Sequence, residues 1–492
     1  MKDDITWANI KKLYMENYSG IDEIVIHINS LYKIPKKIIR DQIKKELIVF
    51  TEQTHKSNLL FDLLKYYASL FIALFSGIIF FLFKKKKIKS DVLYEELWQE
   101  RSLYSRFYIY IDNLLSKKIS SSILLNFPTY SNNVDITKIE GVDKKKIFDI
   151  RKYNILFHPS ISFKFFIYDF FYSFKLIFIK SKNLNLLLLY LKLIRKILIY
   201  KTQSSQMNTK VLISASDYYW GPFKYYFFKY HGVKNIFLIQ HNFVGDYITN
   251  NFYLSCDYYF AHSQLAINKK IGFYNKRQFP IGSVQLSPFL DATEPSTFDI
   301  LMIDQPVHEL VMVVSRGEGD KEDIIKQYNI LLYNIKKYLL HNKTKKMLYV
   351  LKSGAMKKDT FIHIKNIFKD IENITFVEAY GKKTFRYINQ SELIINMYSS
   401  VGIESYGLNK KVLWINYNNC CDIFKFDTEK ESLHIVISDD SCKAFEDRVN
   451  LLLSDNKEID EHYQKLKVKY MNIQENPAKI IADKINEILE KE

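Results

Sequence analysis

At 492 residues, 48% hydrophobic and 15% aromatic, the chain has material for two or three domains with large cores, which excludes a disordered protein. A net charge of +17 calls for anionic partners. Helix-turn-helix, zinc-finger, RRM and KH patterns are absent, so nucleic acid is set aside; much of the basic charge flanks very apolar segments, which points to an anionic membrane surface. The cysteines Cys256, Cys420, Cys421 and Cys442 form no CxxC pair and read as reduced thiols of a cytosolic body. The first 25 residues lack the basic and apolar regions of a signal peptide.

Residues 1–95 read as a helical N-terminal region carrying a membrane-associating segment, Tyr66–Phe83 (YYASLFIALFSGIIFFLF), followed by four lysines, Lys84 to Lys87. The segment sits at the lower limit for a span. A span would put the basic stretch around Lys33, Lys36 and Lys37 outside the cell, against the positive-inside tendency, so insertion into one leaflet competes with crossing. Residues 96–290 are assigned to a first α/β domain, with two apolar and basic helices over 163–200: Phe163–Ile179 and Leu184–Tyr200. Each fits either a lipid interface or a core with snorkelling lysine stems.

From residue 209 the chain alternates short apolar strands with helices. Strands are predicted at Val211–Ala215, Asn235–Ile239, Asp257–Ala261 and Arg277–Ile281, and a helix over Trp220–Tyr230 after the break at Gly221 and Pro222. A turn-rich linker, Asp291–Ser296, leads to a second α/β domain over 297–475. Its strands are predicted at Asp299–Ile303, Val311–Val314, Met347–Leu351, Ile374–Val377, Leu393–Asn396, Val412–Ile415 and His434–Ile437. A closing helix, 476–492, starts at Asn476 and Pro477. This rhythm implies parallel sheets covered by helices, whose ligands bind outside the carboxyl ends of the strands.

The residues after those strand ends are therefore the site candidates. Asp217 follows one strand and His241 follows the next. Asp217 suits a general base or nucleophile, or a helix N-cap; His241 suits polarising or protonating an oxygen, or a satisfied structural role. In the second half, Ser399 and Ser400 stand where a helix begins, a place that favours phosphate. Gly402 permits close approach of a ligand or neighbouring backbone, and Glu404 is placed to accept both hydroxyls of a ribose. Together they outline a nucleotide cradle, with an ordinary serine cap as the plain alternative. Lys352, Lys357 and Lys358 follow another strand end and suit either donor phosphates or a solvated loop. Arg316 to Asp320 is glycine-rich without P-loop spacing and reads as a loop over the cleft. His158 and Pro159 read as a turn.

The stretch SELIINMYSSVGIESYGLNKKVLWIN resembles the donor-binding βα unit of GT-B glycosyltransferases that build bacterial surface polysaccharides, and FLIQHNF with IGSVQLSP is similar to the same families. The resemblance spans roughly residues 209–420. It implies a GT-B-like α/β fold, two Rossmann-type domains facing a cleft, with a nucleotide-sugar donor, a lipid-linked or glycan acceptor at the cytoplasmic face of a bacterial inner membrane, no further cofactor and no required metal. Gln305, at the end of the first strand of the second domain, looks like the glutamine of the CMP-sugar-using branch, such as β-Kdo transferases. That branch also carries Lys-Pro-His-Pro where this chain reads Lys352-Ser353-Gly354-Ala355, so only Lys352 matches. A CDP-alditol-type polyol-phosphate transferase and a non-catalytic membrane-associated scaffold on the same frame stay open as alternatives.

Overall fold

The computed structural model describes residues 2–52, 87–96, 103–126, 146–150, 159–181, 184–215, 220–241, 253–268, 277–291, 295–304, 321–352, 358–379, 381–397, 399–419 and 436–491, with Ala68, Phe75, Ile78 and Ile79. Two parallel sheets organise it. The first contains β1 (Ile88–Glu96), β2 (Ser121–Leu125), β3 (Lys146–Asp149), β4 (Met207–Ser214), β5 (Val233–Ile239), β6 (Tyr258–Ala261) and β7 (Arg277–Pro280), in the order β3-β2-β1-β4-β5-β6-β7. The second contains β8 (Phe298–Ile303), β9 (Met347–Lys352), β10 (Ile374–Ala379), β11 (Ser391–Asn396), β12 (Lys411–Ile415) and β13 (Val436–Ile437), in the order β10-β9-β8-β11-β12-β13. Both are doubly wound: the strand order reverses between β1 and β4 and again between β8 and β11, and those reversals open the crevices that ligands use. The strands are buried on both faces, as in β4, where Val211, Leu212 and Ile213 are all inaccessible.

The strands expected from residue 209 onward recur with bounds shifted by a few residues, except Val311–Val314, which lies outside the described residues. The division at residues 95 and 96 is corrected. β1 begins at Ile88, directly after the basic run, and pairs with β4 along its length, so the first α/β domain starts inside the region expected to be N-terminal helix. β2 and β3 complete its outer half.

The helices Lys2–Glu16, Tyr18–Tyr32 and Lys36–Glu52 form a layer on this domain. Ile21, Ile24, Ile28, Ile39 and Ile43 pack with Leu189, Tyr190, Leu193 and Ile197 of the helix Leu186–Ser205 and with Phe223 and Phe227 of the helix Pro222–His231. This settles the open reading of Leu184–Tyr200: it is core, with Lys196 bonded to the buried Glu46. The other apolar helix, Pro159–Lys164 continued through a π turn, Phe165–Asp169, into Phe170–Phe178, lies at the outside. Tyr66–Phe83 falls outside the described residues apart from Ala68 and the exposed Phe75, Ile78 and Ile79. Among the described residues no helix is long and apolar enough to cross a membrane.

Asp169 fastens the outer helix to the layer. It is fully buried, accepts from the Tyr32 and Tyr190 hydroxyls, and lies 3.0 Å from His27 Nε2. His27 also stacks on Tyr172 at 3.7 Å. Removing the carboxylate strips buried donors of their acceptor, which costs more than the net worth of the bonds. Asp169→Ala should therefore lower unfolding stability in urea by about 3 kcal/mol, with Asp169→Asn losing less. An unchanged midpoint in both variants would show that this cluster does not hold the layer.

Candidate functional site

The chain passes between the two sheets twice, and both passages meet. The first runs through 281–291 and enters β8 by way of 295–297. The second follows the helix Lys457–Tyr470, which belongs to the second core, and leads through Met471–Ile473 into the helix Pro477–Glu490, which packs on the first sheet through Ala478, Ile481, Ala482 and Ile485. Asn476 caps that helix and Pro477 opens it, as expected. Gly282 lies at φ +87, and a Cβ there would meet Ile473 and stand 2.6 Å from the Met471 carbonyl, so the two passages touch only because this position has no side chain. Asn472 Nδ2 donates to Pro280 at 2.7 Å and Asn476 Nδ2 to Ser287 at 3.1 Å, which ties them further.

The serine turn lies at the topological switch point of the second sheet, after β11 and beside β8. Ser399 caps the short helix Ser400–Ser405, accepting from Val401 N–H. Asn396 holds it from both sides, donating from Nδ2 to the Ser399 carbonyl at 2.8 Å and accepting Ser399 N–H at 3.1 Å. Ser399 and Ser400 remain partly exposed. The cap was one of the two readings open in the sequence; the side-chain clamp by Asn396 was not seen there. At Gly402 the Asn396 amide and the Trp414 ring come close, and the Trp414 Cη2 would lie 2.8 Å from an added Cβ.

Glu404 lies further along the same helix. It is 1% exposed and faces the seam between the domains, where Oε1 accepts from Ser283 Oγ at 2.6 Å and Gln285 Nε2 at 3.2 Å. Its partners in the structure are thus side chains of the first passage. Arg106, on the π turn Tyr104–Tyr108 of the first domain, donates from Nε to Gln285 Oε1 at 2.9 Å and brings positive charge near the carboxylate. Phe107 beside it packs on the His241 ring with centroids 5.3 Å apart.

His241 follows β5 and is buried, with Nδ1 2.9 Å from the Ala215 carbonyl at the end of β4. A carbonyl only accepts, so Nδ1 carries the hydrogen of this contact. Gln240 accepts from His262 N–H at 2.9 Å, joining the ends of β5 and β6. Residues 216–219, with Asp217, and residues 305–320, with Gln305, lie outside the described residues, as do 353–357. Lys352 closes β9, with its side chain outside them too. Of the expected site residues, then, the structure brings His241 and Glu404 to one seam, linked by Phe107, Arg106 and Gln285, and sets Ser399 at the start of the helix that carries Glu404. Sequence reading missed Arg106 and Asn396, and assigned no role to Ser283 and Gln285 within IGSVQLSP.

No protein-family model matches the chain, and no curated protein does. Solved structures do, remotely. A UDP-N-acetylglucosamine 2-epimerase from Listeria monocytogenes is 11% identical with a TM-score of 0.48, covering 82% of this chain and 98% of its own. The wall teichoic acid polymerase TagF is 11% identical with a TM-score of 0.47, covering 89% and 99%. A glycosyltransferase from Rickettsia africae is 10% identical with a TM-score of 0.41, covering 82% and 100%. The two-sheet architecture and the seam stand on this chain's own topology and contacts.

Burial pushes the Glu404 carboxyl up to about 7, against the bonds from Ser283, the charge of Arg106 and the bond from Gln285, which pull it down. The ordinary value is 4.5, so between the two values the folded protein keeps a proton that the unfolded chain has released. Stability from this group is complete below 4.5 and is lost as pH rises through about 7. Glu404→Gln cannot ionise and lacks this slope. In urea unfolding it should track wild type near about pH 4 and exceed it by on the order of 3 kcal/mol above about pH 8. Parallel stability curves for the two proteins would remove Glu404 as a buried titrating group.

Proposed function

We propose that this chain is a GT-B-type glycosyltransferase. It takes a sugar from a nucleotide-activated donor seated on the second domain and passes it to a lipid-linked or surface-glycan acceptor on the first, at the cytoplasmic face of a bacterial inner membrane. The observation that supports this most is the convergence at the seam: the helix capped by Ser399 carries Glu404 into contact with Ser283 and Gln285, and Arg106 and Phe107 continue that contact to His241.

The chemistry follows from the parts. Ser399 and Ser400, partly exposed at the switch point, supply hydroxyl and backbone donors for the donor phosphates. Lys352 ends β9, beside β8, where a cation stabilises the departing phosphate, and Gln305 comes two residues after β8 in the sequence. His241 Nε2 takes the acceptor hydroxyl proton when neutral or returns one to an oxygen when charged, and Asp217, following β4, is the second acid–base group. No divalent metal is required in this scheme, and transfer should survive chelation with EDTA.

The direct test is a thermal-shift series on the detergent-purified full chain with CMP, CDP, UDP, GDP and ADP, beside Ser399→Ala/Ser400→Ala. A nucleotide at about a hundred times its Kd stabilises the protein by about 2.7 kcal/mol, a rise of a few degrees. One nucleotide should give that rise in wild type and lose it in the double variant; a CMP response would favour the CMP-sugar branch. A flat response from folded protein would sink the transferase reading and favour the scaffold. Product mass on a membrane acceptor separates sugar transfer from transfer of a polyol phosphate.

A further inference from the structure

Two apolar, basic helices of the first domain end in opposite surroundings. Leu186–Ser205 is enclosed by the helical layer, whereas Pro159–Phe178 has one fastened side and one open side. On the fastened side Asp169, Ser173 and Leu176 are buried. On the open side Phe163, Phe171, Phe174, Ile177 and Phe178 are 66%, 71%, 40%, 50% and 83% exposed. Phe171, Phe174 and Phe178 recur at intervals of three and four, which aligns them along one face of the helix. Lone apolar side chains on a surface need no explanation, but a row of exposed aromatics marks an interaction site.

The borders of the row identify the occupant. Lys175 is 61% exposed and salt-bridged at 2.7 Å to the partly exposed Glu23, and Lys180 stands exposed just past Phe178. A second copy of this chain, itself at +17, would bring like charge against these lysines. An anionic bilayer accepts both features, with rings at the boundary of headgroup and acyl chain and ammonium groups at the phosphates. We infer that the outer face of Pro159–Phe178 is a docking surface for an anionic lipid bilayer. For its purpose, bringing the first domain to a lipid-linked acceptor, the inference rests on the transferase reading; for its chemistry it does not.

The test is co-sedimentation of the full chain with vesicles of phosphatidylcholine alone and of phosphatidylcholine with phosphatidylglycerol. Wild type should bind the anionic vesicles in preference, and more weakly as salt rises. Phe171→Ser/Phe178→Ser should lower the partition coefficient about a hundredfold, and Lys175→Gln/Lys180→Gln about tenfold, on anionic vesicles only. Far-UV circular dichroism and the nucleotide thermal shift, measured on the same variants, check the fold and the donor site separately. Vesicle binding lost with the nucleotide response kept establishes a docking face distinct from the donor site. Unchanged binding by the phenylalanine variant overturns the inference and assigns attachment to another segment, such as 66–83. Failure of wild type to bind anionic vesicles, with self-association abolished by the same substitutions, also overturns it in favour of a second copy. A flat nucleotide response alongside the expected vesicle results overturns the transferase reading alone.

Discussion

The two passages of the chain between its sheets share one narrow seam, and the closest point of that seam is a position where no side chain fits. At Gly282 the backbone is left-handed and Met471 and Ile473 occupy the space of a Cβ. That contact fixes where the first passage runs, and so where Ser283 and Gln285 stand when they meet Glu404. A carboxylate sealed there is costly, and two neutral donors with one nearby guanidinium offset only part of the cost, as its raised pKa shows. The seam thus joins the domains through packing at Gly282 and through hydrogen bonds to one buried carboxyl.

The first domain solves a different problem. Aromatic surface is abundant, with 36 tyrosines and 36 phenylalanines in the chain. The N-terminal helices absorb much of it by enclosing Leu186–Ser205, and buried polar groups fix how they sit: Asp169 takes His27 and Tyr32 from one helix and Tyr190 from another, and Glu95 takes Lys224, Trp220 and Asn126 at the end of β1. Lys224 lies 4.2 Å over the Trp220 ring, and burial pulls its pKa down. Pairs of this kind add little net stability beside an apolar core, but each is expensive to break, so they penalise other arrangements of the helices. Among the described residues, the outer face of Pro159–Phe178 stays exposed after this layer forms.

The second domain was readable because its strands are short apolar runs closed by turn residues, which buried parallel strands produce. β11 shows it: Leu393, Ile394 and Ile395 run into Asn396, and a serine cap follows. The outer half of the first sheet was not readable for equally physical reasons. β1 opens immediately after four lysines and contains Lys89, Asp91, Glu95 and Glu96, charges that mark a loop in isolation; the fold gives Asp91 and Glu95 distant partners in Ser120 and Trp220, and Glu96 the N–H groups of Leu103 and Tyr104 in the next turn. Likewise, hydropathy could not separate Leu184–Tyr200 from Phe163–Ile179, because which apolar helix is enclosed depends on helices more than a hundred residues away.

Glu404 shows where local reading stops. Its spacing from Ser399 places it one turn along the same helix, and that part depends only on helical geometry. Its partners do not: Ser283 and Gln285 are 121 and 119 residues away, and Arg106 reaches Gln285 across 179. A carboxylate near a phosphate-favouring turn is read as a ligand group because its neighbours in sequence are the only neighbours visible. Folding adds the other side of the seam, and with it a low-dielectric surrounding that changes what the same carboxylate can do. The fold favours its protonated form, and the carboxyl picked out for contact with the donor is tied, in this arrangement, to Ser283 and Gln285 of the first passage.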